Sequence, residues 1–167
     1  MEIERKYLIK ELPENLDSYE HHTIKQGYIS TCPVIRIRQK DEKMILTVKS
    51  KGLLAREEFE LDLTKEEFDR LSKKVDGLVI SKTRYILPFI DDLIIELDVF
   101  HDEFEGFILA EIEFPTEEAS KKYDPPAFFG KEVTLDSHFH NSYLSQLTKE
   151  SILAFRSYVS SVSLSDN

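Results

Sequence analysis

Charges of one sign recur two positions apart along this chain, and no other feature limits its fold so strongly. Glu2 and Glu4, followed by Lys6, open it in M-E-I-E-R-K-Y-L. Arg36 and Arg38, Glu58 and Glu60, Lys82 and Arg84, Glu96 and Asp98, and Glu111 and Glu113 repeat the spacing. Successive side chains of a β-strand leave opposite faces, so each pair shares one face while Ile, Val, Leu, Phe and Tyr fill the other. Like charges placed this way lie about 7 Å apart and repel. A merely solvated face would mix them with Ser, Thr and Gln. Same-sign pairs persist more readily where a multivalent ligand of opposite sign neutralises them.

Extended segments carrying this alternation are predicted at 1–10, 22–30, 34–39, 44–50, 57–63, 78–88, 93–100 and 107–114, with a short extended piece at 130–135. The short linkers make antiparallel hairpins. Thr31, Cys32 and Pro33 form one turn, Asp41 and Glu42 another, and Gly27 marks a bend or a close backbone approach. Helical spacing takes over at 64–75, where Thr64 and Glu67 form a capping box and Gly77 is expected to end the helix. Further helical stretches fall at 116–122, 141–147 and 151–159, with a single turn near 14–19. One domain over 1–160 and a disordered tail over 161–167 are expected.

Amphipathic helices need an apolar surface to cover, and the apolar strand faces supply it if they point outward. The expected architecture is therefore α+β and mainly antiparallel: a closed eight-stranded β-barrel with a charged lumen and helices packed outside. Two unit charges 4 Å apart interact by roughly 4 kcal/mol at an effective dielectric constant of about 20. An empty lumen of this kind is strained, and filling it should stabilise the protein.

The formal net charge of -10 argues against a broad basic face for nucleic acid, so no nucleic-acid partner is expected. A concentrated basic pocket remains compatible with it. Cys32 is the only cysteine and is expected as a small buried residue; no intramolecular disulfide can form. No run approaches a membrane span and no signal-peptide core is seen, so a cytoplasmic protein without a membrane partner is expected.

Converging Lys and Arg bind oxyanions, and Arg offers phosphate a bidentate fork. Grouped carboxylates without His or Cys in register are hard oxygen ligands suited to Mg²⁺ or Mn²⁺ rather than zinc. Together they describe a site for a metal-bound polyanion, a chain of phosphates. Gly130 and Lys131 lack the remaining spacing of a P-loop.

These residues resemble the CYTH, or triphosphate tunnel metalloenzyme, family. The hallmark E-x-E-x-K is Glu2, Glu4 and Lys6. It is followed in order by Q-G-Y at Gln26 to Tyr28, R-x-R at Arg36 and Arg38, T-x-K at Thr47 and Lys49, and E-x-E at Glu58 and Glu60. K-x-R at Lys82 and Arg84, E-x-D at Glu96 and Asp98, E-x-E at Glu111 and Glu113, and G-K-E-V-T at Gly130 to Thr134 complete the set. The resemblance covers about 1–145. It implies a tunnel binding a linear triphosphate, with Glu2, Glu4, Asp98, Glu111 and Glu113 holding Mg²⁺ or Mn²⁺. It implies phosphate contacts from Lys6, Arg36, Arg38, Lys49, Lys82, Arg84 and Lys131, and catalytic roles for Lys82, Tyr28 and Glu4. Glu58, Glu60 and Glu96 are further tunnel acids. Where the family has D-x-R-Y-x-N, this chain has Asp136 to Asn141 with His138 in the basic position; His138 and His140 read as surface or packing residues. The implied activity is metal-dependent hydrolysis of inorganic tripolyphosphate. Thiamine triphosphate hydrolysis, ATP cyclisation and a non-catalytic polyphosphate-binding module are the alternatives. The partner is a small-molecule triphosphate, and a homodimer is the candidate assembly.

Overall fold

A computed structural model describes residues 3–50 and 57–165. Its strands are β1 (Ile3–Ile9), β2 (Glu20–Thr31), β3 (Val34–Lys40), β4 (Lys43–Lys49), β5 (Glu58–Asp62), β6 (Asp76–Pro88), β7 (Ile94–Phe100), β8 (Ile108–Phe114) and β9 (Phe129–Glu132). They form one nine-stranded antiparallel sheet in the order β5-β4-β3-β2-β6-β7-β8-β1-β9. The alternation located the first eight of these, with ends shifted slightly.

The sheet is the expected antiparallel α+β architecture, and it differs from a closed eight-stranded barrel in having a ninth strand. Closing eight strands would require β1 to pair with β5, but β9 takes that edge of β1, with Ile9 opposite Phe129 and Tyr7 opposite Glu132. Arg5 fastens the pairing: its Nε and Nη2 donate to the Glu132 carboxylate at 2.8 and 2.5 Å, and the guanidinium lies over the Tyr7 and Tyr123 rings. Among the described residues no ladder joins β5 to β9. The sheet nevertheless curls, because inward side chains of β1, β3, β4, β5, β6, β7 and β8 meet around a single cavity of about 840 Å³.

Four helices accompany the sheet: α1 (Lys65–Ser72), α2 (Glu117–Lys122), α3 (Asn141–Ser145) and α4 (Lys149–Leu164). Two of them behave as the patterning requires. Phe68 of α1 packs on Ile37 and Met44 from the outward faces of β3 and β4. The α2 segment, with Tyr123 just beyond it, covers outward Tyr7, Leu97, Ala110, Ile112 and Phe114. The other two helices are not outside. Leu8, Ile80, Phe100 and Leu109 continue the inward rows that carry the charges, and they form a core with Leu144 of α3 and with Ile152 and Phe155 of α4. The inner face is thus charged over part of its length and apolar beyond it, and α3 and α4 close the apolar end. Tyr158, Val159 and Val162 pack on the same core, which is why α4 continues through Leu164 past the expected start of a tail. No described helix is long and apolar enough to cross a membrane.

Three local expectations meet different outcomes. The Thr64 and Glu67 capping box forms, but α1 stops at Ser72, before Gly77. Gly27 does allow a close approach: a Cβ there would lie 2.7 Å from a Val75 methyl. Cys32 is exposed in the β2–β3 turn rather than buried. Gly77 has a different task, within β6. Its φ is +79°, and a Cβ there would lie 2.0 Å from the Ser145 carbonyl oxygen of α3. Gly77→Ala should therefore destabilise the protein by more than about 2 kcal/mol, the sum of left-handed strain and a backbone clash. Denaturant unfolding measures this, and a change below 0.5 kcal/mol, the usual size of a neutral surface change, would contradict it.

Candidate active site

The cavity has walls of opposite character. Glu4 and Lys6 of β1, Glu111 and Glu113 of β8, and Glu96 of β7 line one side. Arg36 and Arg38 of β3, with Lys49 of β4 and Glu58 and Glu60 of β5, line the other, and Arg84 of β6 lies between. The register explains why carboxylates concentrate: Glu4 sits directly opposite Glu113, and Glu96 directly opposite Glu111. Like charges facing each other across strands are destabilising unless a cation intervenes.

Lys6 is one such cation. Its Nζ lies 3.0 Å from a Glu4 oxygen and 3.1 Å from a Glu111 oxygen. Burial opposes the Lys6 charge most strongly, yet Glu111 and Glu4 together outweigh it and raise the ammonium above its ordinary range. At Glu96 burial prevails. Reinforced by Glu111 and Asp98 and opposed by Arg84, it lifts the carboxyl above the usual carboxylate range.

Beneath this wall lies a fully desolvated ionic centre. Asp98 is wholly buried, with Oδ2 2.5 Å from Lys82 Nζ and 2.8 Å from Arg84 Nη2, and Oδ1 2.7 Å from Arg84 Nε. Burial opposes ionisation of Asp98, but the two cations dominate and hold its carboxyl below the ordinary range. Arg84 also reaches Glu96 and, at 3.5 Å, Glu111. Burial is the largest influence on Arg84 and acts against its charge; Asp98, Glu96 and Glu111 overcome it and raise the guanidinium further.

The predicted site residues thus divide. Glu4, Lys6, Arg36, Arg38, Lys49, Glu58, Glu60, Arg84, Glu96, Glu111 and Glu113 meet at the cavity. Lys82 and Asp98 do not line it: both are fully buried and spend their polar atoms on each other and on Arg84. Tyr28 is buried on β2 opposite Arg36. Lys131 points elsewhere, with its Nζ 2.5 Å from Ser165 Oγ at the end of α4. The register shift between Tyr7 and Ile9 where β9 joins the sheet accompanies this departure. Glu2 lies outside the described residues. Lys49 is 3.6 Å from Glu58, and Thr47 Oγ1 donates to Glu60 at 3.4 Å, so the far acids already have partners.

Two contributors had weak sequence signals. Asn141, the first residue of α3, lines the cavity and corresponds to the last position of the D-x-R-Y-x-N pattern. His140 stands close enough to Lys6 to respond to it; burial first, then Lys6, lowers its pKa. His138 behaves as a packing residue, bonded to Asp136 at 2.6 Å and against the Tyr143 and Tyr158 rings.

Among the described residues no three carboxylates converge into a ready-made metal cage. Magnesium is ordinarily held by one or two carboxylates completed by water and substrate phosphates, so the facing acids of β1, β7 and β8 fit an ion shared with a phosphate chain. The fold and cavity thus define a curled antiparallel sheet built to hold a polyanion with a divalent cation.

Comparison with known proteins gives that class a family. The CYTH domain family matches residues 1–143, and the chain belongs to it. An inorganic triphosphatase of Nitrosomonas europaea is 36% identical over 150 residues, covering 86% of this chain and 96% of its own. An inorganic triphosphatase of Acetivibrio thermocellus is 33% identical over 151 residues, covering 86% and 92%. A crystal structure of an inorganic triphosphatase superposes with a TM-score of 0.74 at 32% identity, covering 89% of this chain and 96% of that one. Members of this family require a divalent metal.

Asp98→Asn should cost roughly 3–5 kcal/mol of stability, because two buried cations lose their counter-charge. Glu113→Gln, at the exposed rim, should change stability by no more than about 0.5 kcal/mol. Equal losses in urea unfolding would contradict the assignment of Asp98 as the buried centre.

Proposed function

We propose that the protein is a divalent-metal-dependent hydrolase of triphosphate compounds, with inorganic tripolyphosphate as substrate and Mg²⁺ or Mn²⁺ as the metal. The observation that carries this reading is the division of one cavity into a wall of facing carboxylates and a wall holding Arg36 and Arg38. A simple anion binder has no use for the first wall, and a simple cation binder none for the second. The relatives named inorganic triphosphatase support it.

In this reading Arg36, Arg38 and Arg84 hold phosphate oxygens and absorb the charge that develops on them. Glu4, Glu96, Glu111 and Glu113 hold the metal jointly with the substrate, with Glu2 as a further candidate ligand. When bound, the metal neutralises phosphate charge and acts as a Lewis acid. Water adds to a terminal phosphorus, the bridging P–O bond breaks, and pyrophosphate leaves with its charge offset by the surrounding cations. Lys6, already between Glu4 and Glu111, keeps those carboxylates in place and meets the phosphate chain. Lys82 acts through the buried Asp98 as a positioning group for Arg84, and Tyr28 stands opposite Arg36 in the register of β2 and β3. Lys49 contacts the substrate from the far side, whereas the direction of Lys131 removes it from the set.

An inorganic substrate is favoured over a nucleotide or thiamine compound because the cavity offers no free ring for stacking. Phe114 is the only aromatic residue lining it among the described residues, and it is buried in the outward core. The proposed compartment is the cytoplasm, and an exposed free Cys32 is compatible with its reducing conditions.

Phosphate release from tripolyphosphate, ATP and thiamine triphosphate, each with Mg²⁺, Mn²⁺ or a chelator, tests this reading. Tripolyphosphate should be cleaved fastest and only with metal. Glu4→Gln and Lys6→Ala should each lower kcat/KM by about 100-fold or more, the size of losing one group that stabilises transition-state charge. Turnover that survives both substitutions, or that ignores the chelator, would sink it.

A further inference from the structure

Gln26 of β2 faces Arg38 of β3 on one side and Ile80 of β6 on the other, and it is completely buried. Arg38 Nε donates to Gln26 Oε1 at 3.0 Å. A guanidinium can only donate, so this bond fixes the carboxamide with its oxygen toward Arg38 and its NH₂ turned away. Among the described residues that NH₂ has no hydrogen-bond partner, and neither has Nε of neighbouring Arg36. An unmade bond from a buried donor is costly, so the site does not hold Gln26 for the side chain's own satisfaction.

The alternative residue is instructive. Glutamate has the same shape, carries no orphan donor, and would pair with a guanidinium as Asp98 and Glu96 pair with Arg84. It would also cancel the charge. As the chain stands, Arg36 and Arg38 have no carboxylate partner among the described residues, although both line the cavity. Burial, then the proximity of Arg36 and Arg84, lowers the Arg38 pKa to about 10, which still leaves it protonated at neutral pH. Within the basic wall, Arg36 and Arg38 are two neighbouring cations with no carboxylate partner among the described residues.

We infer that Gln26 is a positioning residue of the anion site: its carboxamide aims the Arg38 guanidinium while withholding the negative charge that would neutralise it. The ligand it serves is the phosphate chain of the proposed function, and the inference rests on that reading. Gln26 touches no substrate atom itself, since it does not line the cavity. Its neutrality keeps the basic wall able to attract a polyanion at the expense of stability in the empty protein.

The test uses the full chain and two variants, Gln26→Glu and Gln26→Leu. Tripolyphosphate binding is measured by calorimetry without metal, where no turnover occurs, together with the Tm of each ligand-free protein and the steady-state constants with Mg²⁺. Gln26→Glu should bind tripolyphosphate about tenfold more weakly, the worth of one charge-assisted hydrogen bond, and raise KM by the same factor. Its kcat should stay within about threefold and its Tm should equal or exceed that of the unmodified protein, because the new carboxylate satisfies Arg38. Gln26→Leu should weaken binding and lower Tm together. Binding by Gln26→Glu within twofold of the unmodified protein would overturn the inference. So would a binding loss in Gln26→Glu accompanied by a fall in Tm, which marks a purely structural role. If the unmodified protein neither binds tripolyphosphate without metal nor cleaves it with Mg²⁺, the functional reading falls and this inference with it; if it cleaves without measurable metal-free binding, the KM of each variant decides the role of Gln26. Binding without hydrolysis removes the hydrolase reading alone, and the variants still decide the role of Gln26.

Discussion

A wholly buried carboxylate, Asp98, shares its oxygens between Lys82 and Arg84, and the cavity is arranged about that centre. Such a group is stable only with its cations in place, because the desolvation cost of each charge is large and only close pairing offsets it. The antiparallel register sets Arg84 directly opposite Asp98, so pairing and strand alignment enforce one another. A slip of one residue would turn every inward charge outward, and the buried centre forbids it. With Asp98 engaged on both oxygens, Arg84 is held in one orientation, and it also reaches Glu96 and Glu111 at the cavity surface.

The two walls above this centre are unbalanced in opposite senses. On β1, β7 and β8 carboxylates face each other with Lys6 and Arg84 as partial compensation; on β3 two guanidinium groups stand beside a neutral carboxamide. Each wall alone is unfavourable, and both are relieved by one ligand that presents phosphate oxygens to the arginines and a divalent cation to the acids. A phosphate chain carrying its metal has that form. The stability the empty protein forgoes at these walls becomes available as binding energy, and groups fixed beforehand need little reorganisation as charge develops.

Much of this was legible in the sequence, for a physical reason. Strand side chains alternate strictly, so a pattern of Glu, Arg and Lys two apart states which residues share a face whatever the final topology, and the cavity residues from Glu4 to Glu113 were named on that basis. Alternation carries no information about depth. Lys82 and Asp98 have the same parity as Arg84 and Glu96, yet they lie below the cavity surface because neighbouring strands and the Phe100 core cover them. Nor does it reveal which edge a short segment will take. Phe129–Glu132 was visible as extended, but its displacement of β5 from the edge of β1 depends on Arg5 meeting Glu132 across 127 positions of sequence. Gln26 passed as part of a motif because a neutral residue in a row of charges gives no periodic signal. Its significance appears only beside Arg38.

The apolar continuation of the inner face gives the cavity a direction. Among the described residues, Leu8, Ile80, Phe100 and Leu109, packed against α3 and α4, fill one end, and the cavity opens toward the other. That mouth is bordered by Asp91, Asp92, Leu93, Ile94 and Pro115, which offer phosphate oxygens no cation and no hydrogen-bond donor from their side chains. A ligand short enough to sit wholly between the walls avoids this rim, whereas each further phosphate would lie against apolar surface and two carboxylates. Among the described residues the rim offers no open aromatic face for a nucleotide base. In the proposed function, selection of a short inorganic chain rests on the two ends of the cavity, one filled with phenylalanine and leucine and the other fringed with aspartate, as much as on the charges between them.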